Sequence, residues 1–411
     1  MCRLDDLAPI SYTGENERNE GKCLMDAAHA DVALLRCEDY DRTKLDAIIA
    51  QAAEIAGFPD IRGATVLVKP NVLNASPAAK AVTTHPEFVG AVIRFALLQG
   101  AKEVLVGDSP GWQPGALAAK TCGIYDAVKQ NGGKWVDFRD VSPHAINHGK
   151  RLRNIPLTTW LEHADIVINL PKLKNHSLMT YTGAMKNLFG LIPGTAKSAM
   201  HMQYPGVIEF GEMLVDLALS IPRCFTFMDG IVAMQGEGPG SGTPYSLGIV
   251  LASQSVAKLD WTAARCVGYD PALIPYLVDG LQRTLQSEAI IEPAISPLSV
   301  QDVSHEGFEL LPYHSELGRK LGTIPNSMRA FVGSLIRLRP VFHTDKCIGC
   351  GACVQICPAN ALALDSKNKT HIVRINDKLC ITCFCCHEIC PAKAISIGRV
   401  PLRLWHRAVR S

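Results

Sequence analysis

The sequence predicts an α/β fold, a mostly parallel sheet with covering helices, followed by a small C-terminal α+β domain rich in cysteine. Three observations predict it: apolar strand-like runs alternate with helical patterns over the first 300 residues, polar residues directly follow those runs, and nine of the fifteen cysteines lie between Cys347 and Cys390. Balanced charge, Lys+Arg 41 against Asp+Glu 39, and 47% hydrophobic residues fit a globular chain and argue against nucleic acid as a partner.

In order, "DVALLRC" (31–37) reads as a strand, "RTKLDAIIAQAAEIAG" (42–57) as a helix, "ATVLVKPN" (64–71) as a strand, "HPEFVGAVIRFALLQGA" (85–101) as a helix and "KEVLVGDSPG" (102–111) as a strand. The rhythm continues with strands in "ADIVINLPKLKNH" (164–176), "FTFMDGIVAM" (225–234) and "LGIVLAS" (247–253), and amphipathic helices in "GVIEFGEMLVDLALS" (206–220) and "VAKLDWTAARCVG" (256–268). The division predicted is an N-terminal extension (1–29), the α/β domain (30–300), a linker with an amphipathic helix around Met328 and Leu335 (301–339), the cysteine domain (340–398) and a basic tail with Trp405 (399–411). The linker helix is expected to pack the two domains together rather than to rest on a membrane surface.

The N-terminus lacks the apolar core of a signal peptide, and no run approaches the ~18 apolar residues of a membrane span. A cytoplasmic location without a transmembrane segment is expected, and there the thiols are not a disulfide framework.

"CIGCGACVQICP" places Cys347, Cys350, Cys353 and Cys357 in a C-x2-C-x2-C-x3-C-P run, and Cys380, Cys383, Cys386 and Cys390 repeat it 33 residues later. "CPANALAL" (357–364) and "CPAKAISI" (390–397) extend the repeat. Zinc sites also use C-x2-C, but they need no triple run, no following proline and no exchange between halves. The run resembles that of two-cluster ferredoxins, where the fourth thiolate of each run ligates the other cluster; the resemblance implies one 4Fe-4S cluster on Cys347, Cys350, Cys353 and Cys390 and a second on Cys380, Cys383, Cys386 and Cys357. Taking Cys385 in place of Cys386 breaks the spacing, so Cys385 is the spare. The segment resembles the bacterial-type ferredoxin with two 4Fe-4S clusters, whose work is single-electron transfer.

In open α/β sheets ligands gather at the carboxyl ends of strands. The polar residues there are Lys69-Pro70-Asn71, Asp108 to Gly111, Asn169 with Lys172, Lys174, Asn175 and His176, and Asp229-Gly230; His85, Lys186 with Asn187, and the glycine-rich 236–242 join them. Converging ammonium groups and backbone donors suit a carboxylate or phosphate, with a carboxylate or imidazole to move a proton. The candidate catalytic residues are Lys69, His85, Asp108, Lys172, Lys174, His176, Lys186 and Asp229. Neither "GEGPGSG" (236–242) nor "GLIPGTAKS" (190–198) completes a nucleotide-binding motif. His144, His148, His163 and His201 are too scattered to define a metal site.

The stretches 66–111, 168–194 and 228–253 resemble the domain-of-unknown-function 362 family, over about residues 30–300. Members often carry a fused two-cluster ferredoxin and are described as iron–sulfur-cluster-binding proteins, so the resemblance implies the architecture and assigns no reaction. Two readings stay open: an oxidoreductase whose clusters exchange electrons with a small anionic substrate, and a non-enzymatic electron-transfer adaptor that docks a redox partner protein. Both imply an electron donor or acceptor outside the chain.

Overall fold

The computed structural model describes residues 29–111, 113–194, 196–313, 338–367 and 370–399. The predicted N-terminal extension up to residue 28, the linker helix and the basic tail from residue 400 lie outside the described residues.

The strands are β1 (Val32–Arg36), β2 (Thr65–Pro70), β3 (Glu103–Val106), β4 (Lys134–Trp135), the hairpin β5 (Val141–Ala145) and β6 (Asn154–Thr158), β7 (Ile166–Leu170), β8 (Lys172–His176), β9 (Thr180–Thr182), β10 (Cys224–Gln235), β11 (Thr243–Ser253) and β12 (Ile295–Pro297). The main sheet runs β12-β1-β11-β10-β7-β2-β3-β4, with β8 attached to β10 and β9 to β8. Pairing is parallel from β10 through β7, β2 and β3 to β4, and antiparallel only where β11 meets β1 and β10 and where β9 meets β8. The predicted mostly parallel α/β class is what the chain forms.

Strand periodicity divides the core. In β2, Leu67 joins the apolar cluster on one face while Val66 and Val68 join the cluster on the other, and all three are fully buried. Helices Arg42–Ile55 and Pro86–Leu98 supply Leu45, Ile49, Phe88 and Val92 to the second face. Helices Val207–Ser220 and Val256–Cys266 supply Phe210, Leu214, Leu259 and Trp261 to the first. A sheet covered on both faces explains its continuous apolar runs.

The runs 164–176 and 225–234 form strands as read, but their polar residues lie within the strands and not beyond their ends. Pro171 alone separates β7 from β8, and β8 lies buried along β10. Asp229 lies within β10, which continues to Gln235 past a register shift between Gly230 and Val232. Lys172 and Asp229 thereby become cross-strand partners.

In the cysteine-rich part, β13 (Leu338–Phe342) pairs antiparallel with β16 (Ile395–Arg399), and β14 (Leu362–Lys367) with β15 (Thr370–Ile375). Helices Ala352–Ile356 and Cys385–Ile389 pack through Ala352, Ile356, Cys385 and Ile389, as the repeat requires. This part sits on the glycine-rich loop 236–242: Lys393 Nζ donates to Gly242 O at 3.0 Å. A Cβ on Gly240 would run into the Glu388 carbonyl oxygen. The loop that fails as a nucleotide motif is thus a seat for the second cysteine helix, and glycine there allows the two backbones to approach.

Candidate functional site

Two cavities gather the cysteines in the sets expected from the sequence. One is lined by Cys347, Cys350, Cys353 and Cys390. The other is lined by Cys357, Cys380, Cys383 and Cys386, with Cys385 also on its wall. Each set takes three thiols from one half of the repeat and the fourth from the other, and among the described residues no three His, Cys, Asp or Glu converge tightly enough to hold one ion. Four sulfurs spread around a cavity fit a cubane better than a single zinc ion.

A third cavity, of about 120 Å³, lies where the sheet meets the cysteine helices. Its wall carries five lysines, Lys69, Lys172, Lys174, Lys186 and Lys197, against the carboxylates of Asp108 and Glu388. Asn71, Ser109, Asn187, Ser198 and His201 add polar groups, and Ile356, Cys385 and Ile389 close it from the cysteine-rich side.

Each ammonium is held differently. Lys69 Nζ, at the end of β2, pairs with Asp108 Oδ1 at 2.7 Å just past β3, and both side chains are buried. Asp108 is fixed by Val72 N at 2.6 Å and Ser109 N at 2.9 Å. Gly190 lies flat against this pair, since a Cβ there would meet both Asp108 Oδ1 and Lys69 Nζ. Lys172 Nζ pairs with Asp229 Oδ2 at 2.8 Å and donates to Tyr40 Oη at 2.9 Å. Burial pulls both lysines below the ordinary ammonium pKa, and Asp108 and Asp229 oppose that pull.

Among the described residues Lys174 and Lys197 have no such partner. Lys174 Nζ reaches Asn71 Oδ1 at 2.7 Å and Val82 O at 2.9 Å, and Lys197 Nζ donates to Ser109 O. Burial, reinforced for Lys174 by Lys186 and Lys172 and for Lys197 by Lys69 and Lys186, lowers each to about 7; Glu388 and Asp108 pull Lys174 upward, and Asp108 pulls Lys197 upward. Among the described residues Lys186 forms no ion pair, and its Nζ lies 6.0 Å from the Phe189 ring centre.

His176, His85 and Asp229 are not on the wall of this cavity. The Nδ1 atom of His176 accepts from Leu178 N at 3.1 Å and Met179 N at 3.3 Å, which assigns its proton to Nε2. Nε2 lies 3.1 Å from Glu388 Oε1, although the pair is not aligned as a hydrogen bond. Burial holds His176 at about 4, hence neutral near pH 7. Burial works to raise the Glu388 carboxyl, but His176, Lys186 and His201 together hold it well below the usual range. His85 caps helix Pro86–Leu98, stacks on Tyr40 at 3.6 Å, and gives its backbone N–H to Asp229 Oδ2 at 2.9 Å. Lys69, Asp108, Lys172, Lys174 and Lys186 do meet, whereas His85 and Asp229 stand behind Lys172.

Lys197, Ser198, His201, Cys385 and Glu388 were missed as site residues. Lys197 and His201 had a readable signal, their i,i+4 spacing on helix Ala196–Gln203. Asn187 lines the cavity, and its buried Oδ1 has no hydrogen-bond partner among the described residues.

This arrangement defines a class: an α/β domain with a cationic cavity, closed by a cysteine-rich domain built for iron–sulfur clusters. The domain of unknown function DUF362 matches residues 66–265 and the 4Fe-4S dicluster domain matches residues 346–394. The chain belongs to the DUF362 family, with a 4Fe-4S dicluster domain joined to it. It is 34% identical over 252 residues to the thylakoid-associated protein sll1697 of Synechocystis sp., covering 59% of this chain and 76% of that protein. A Thermotoga maritima protein of known structure is 15% identical, with a TM-score of 0.37, over 56% of this chain and 59% of that one. The lactate racemase apoprotein of Thermoanaerobacterium thermosaccharolyticum is 13% identical, with a TM-score of 0.35, over 55% and 54%. The chain thus spans less than two thirds of either structure, and similarity of this degree assigns no function. The dicluster domain supports iron–sulfur electron transfer. No described helix is long and apolar enough to cross a membrane.

Cys386→Ser is expected to lose about half of the bound iron while Cys385→Ser keeps all of it, read by iron assay per chain; the reverse pattern would reassign the ligands. Gly190→Ala is expected to cost about 1–3 kcal/mol by pressing on the Lys69–Asp108 pair, measured from denaturant midpoints.

Proposed function

We propose that the chain is an oxidoreductase in which a ferredoxin domain (340–398) exchanges electrons with a small anion bound by the α/β domain (30–300). The single observation that carries the reading is the cavity itself, where five lysines meet the cysteine helices. Cys347, Cys350, Cys353 and Cys390 would hold one 4Fe-4S cluster, and Cys357, Cys380, Cys383 and Cys386 a second, which supply one-electron transfer when bound. Reduction of a two-electron acceptor then consumes two electrons, drawn singly from an external one-electron carrier, and two protons.

The lysines divide the work. Lys69 and Lys172 are neutralised by Asp108 and Asp229 and act as fixed wall groups. Lys174, Lys186 and Lys197 are left to neutralise the ligand. With pKa values of about 7, Lys174 and Lys197 can also give up a proton to the ligand and regain it from solvent. A cavity of 120 Å³ is near the size of one that holds benzene at ~150 Å³, so it suits a carboxylate or oxyanion of a few heavy atoms and not a nucleotide. His176 serves as a positioning residue for Glu388, and His85 with Asp229 as support for Lys172.

The adaptor reading draws on one feature: Ile348, between Cys347 and Cys350, is 62% exposed, as a docking contact for a redox partner requires. We place the protein in the cytoplasm in either case.

Binding of sulfate, which does not titrate between pH 6 and 8, is expected to weaken as pH rises through 7. Lys174 and Lys197 must be protonated to hold it, and each contributes up to roughly tenfold over that range; calorimetry that finds no pH dependence would remove both from the site. Lys174→Gln is expected to weaken sulfate by about tenfold and to reduce the pH dependence with iron content unchanged, whereas Lys172→Met, which strands buried Asp229, is expected to cost about 3–5 kcal/mol of stability. Anaerobically reduced protein is expected to be reoxidised by one class of small carboxylates or oxyanions. Reoxidation by redox proteins alone would favour the adaptor.

A further inference from the structure

Cys385 is the one residue common to the lysine cavity and the cavity lined by Cys357, Cys380, Cys383 and Cys386. The cavity lined by Cys347, Cys350, Cys353 and Cys390 shares no wall residue with the lysines. The repeat makes the contrast sharper, because position 385 corresponds to Ala352 in the first half, 383 to Cys350 and 381 to Ile348. Cys350 is exposed and Ile348 is 62% exposed, while Cys383 and Ile381 are partly buried. The two halves therefore face different surroundings: the first faces solvent, and the second faces the lysine cavity across a thiol.

We infer that the two cysteine sites have different jobs. The Cys357/Cys380/Cys383/Cys386 site is the one that faces the bound anion, with Cys385 as the partition between them, and the Cys347/Cys350/Cys353/Cys390 site faces the external carrier. This rests on the anion reading of the cavity and adds a direction to it. Its physical content is electrostatic: a charge placed in the cavity is felt strongly across one buried side chain and weakly at the far site, where solvent screens it. An anion beside the second site makes its reduction harder, and by reciprocity its reduction weakens the anion by the same factor. Protein oxidised at that site binds the ligand about tenfold more tightly than protein reduced there, and the reduced protein still binds it.

The test is an electrode-driven redox titration of the full cluster-loaded chain, followed by electron paramagnetic resonance. Cys350→Ser and Cys383→Ser, each of which removes one signal, assign the two sites. Lys186→Gln removes a cavity charge without adding a ligand. It is expected to lower the potential of the signal lost in Cys383→Ser by about 59 mV, a tenfold change for one electron, and to move the other by less than a third of that. Replacing chloride with sulfate at constant ionic strength is expected to do the same in the unsubstituted protein. Equal shifts at both sites in Lys186→Gln, a larger shift at the first site, or none at either would overturn the assignment. A selective Lys186→Gln effect with no response to sulfate, and no sulfate heat in calorimetry, would keep the assignment while rejecting the cavity as an anion site.

Discussion

Burying several like charges in one place is the constraint on which the rest of this structure depends. An ammonium group removed from water is stabilised by a carboxylate, by hydrogen bonds, or by losing its proton, and the cavity uses all three. Lys69 has Asp108, Lys172 has Asp229, and Lys174 and Lys197 rest on amide and carbonyl oxygens with their pKa values brought down to about 7. The fold supplies these partners from separate elements: β2 and the segment after β3 for the first pair, neighbouring β8 and β10 for the second. The bulge in β10 and the flat backbone at Gly190 are the local adjustments that let the pairs close.

The second carboxylate on the wall comes from the other part of the chain. Glu388 stands between Cys386 and Cys390 in sequence, and His176 and Lys186 hold its carboxyl well below the usual range against the cavity. The cysteine helices therefore complete the site rather than merely lying near it, and the glycine-rich loop that seats them is part of the same device. Fusion of the two parts in one chain keeps this geometry at a high effective concentration.

Much of this was legible in the sequence. Strand and helix runs read correctly because a sheet buried on both faces forces near-continuous apolar strands. The grouping of the cysteines was readable because the spacing repeats, and two cavities gather the same groups, with Cys385 beside Cys386 on one wall. Five of the eight candidate catalytic residues converge on the cavity wall because strand ends in an open sheet converge. What was not legible depended on long-range packing. Nothing local pairs Asp229, inside the strand run 225–234, with Lys172, since strand pairing is set by long-range packing. Nothing local says that Glu388 reaches His176, or that "GEGPGSG" seats a helix and not a phosphate. Lys197 and His201 carried a readable i,i+4 spacing, but on a short helix that spacing is more often the sign of a solvated face.

The account's central claim is that a small anion lies between the lysines and the second cysteine site. Electron–nuclear double resonance on the reduced, cluster-loaded protein with ¹³C-oxalate tests it most directly. The account predicts a ¹³C hyperfine coupling carried by the signal that Cys383→Ser removes and lost in Lys174→Gln. A coupling carried by the signal that Cys350→Ser removes, or none in protein that binds oxalate, would contradict it.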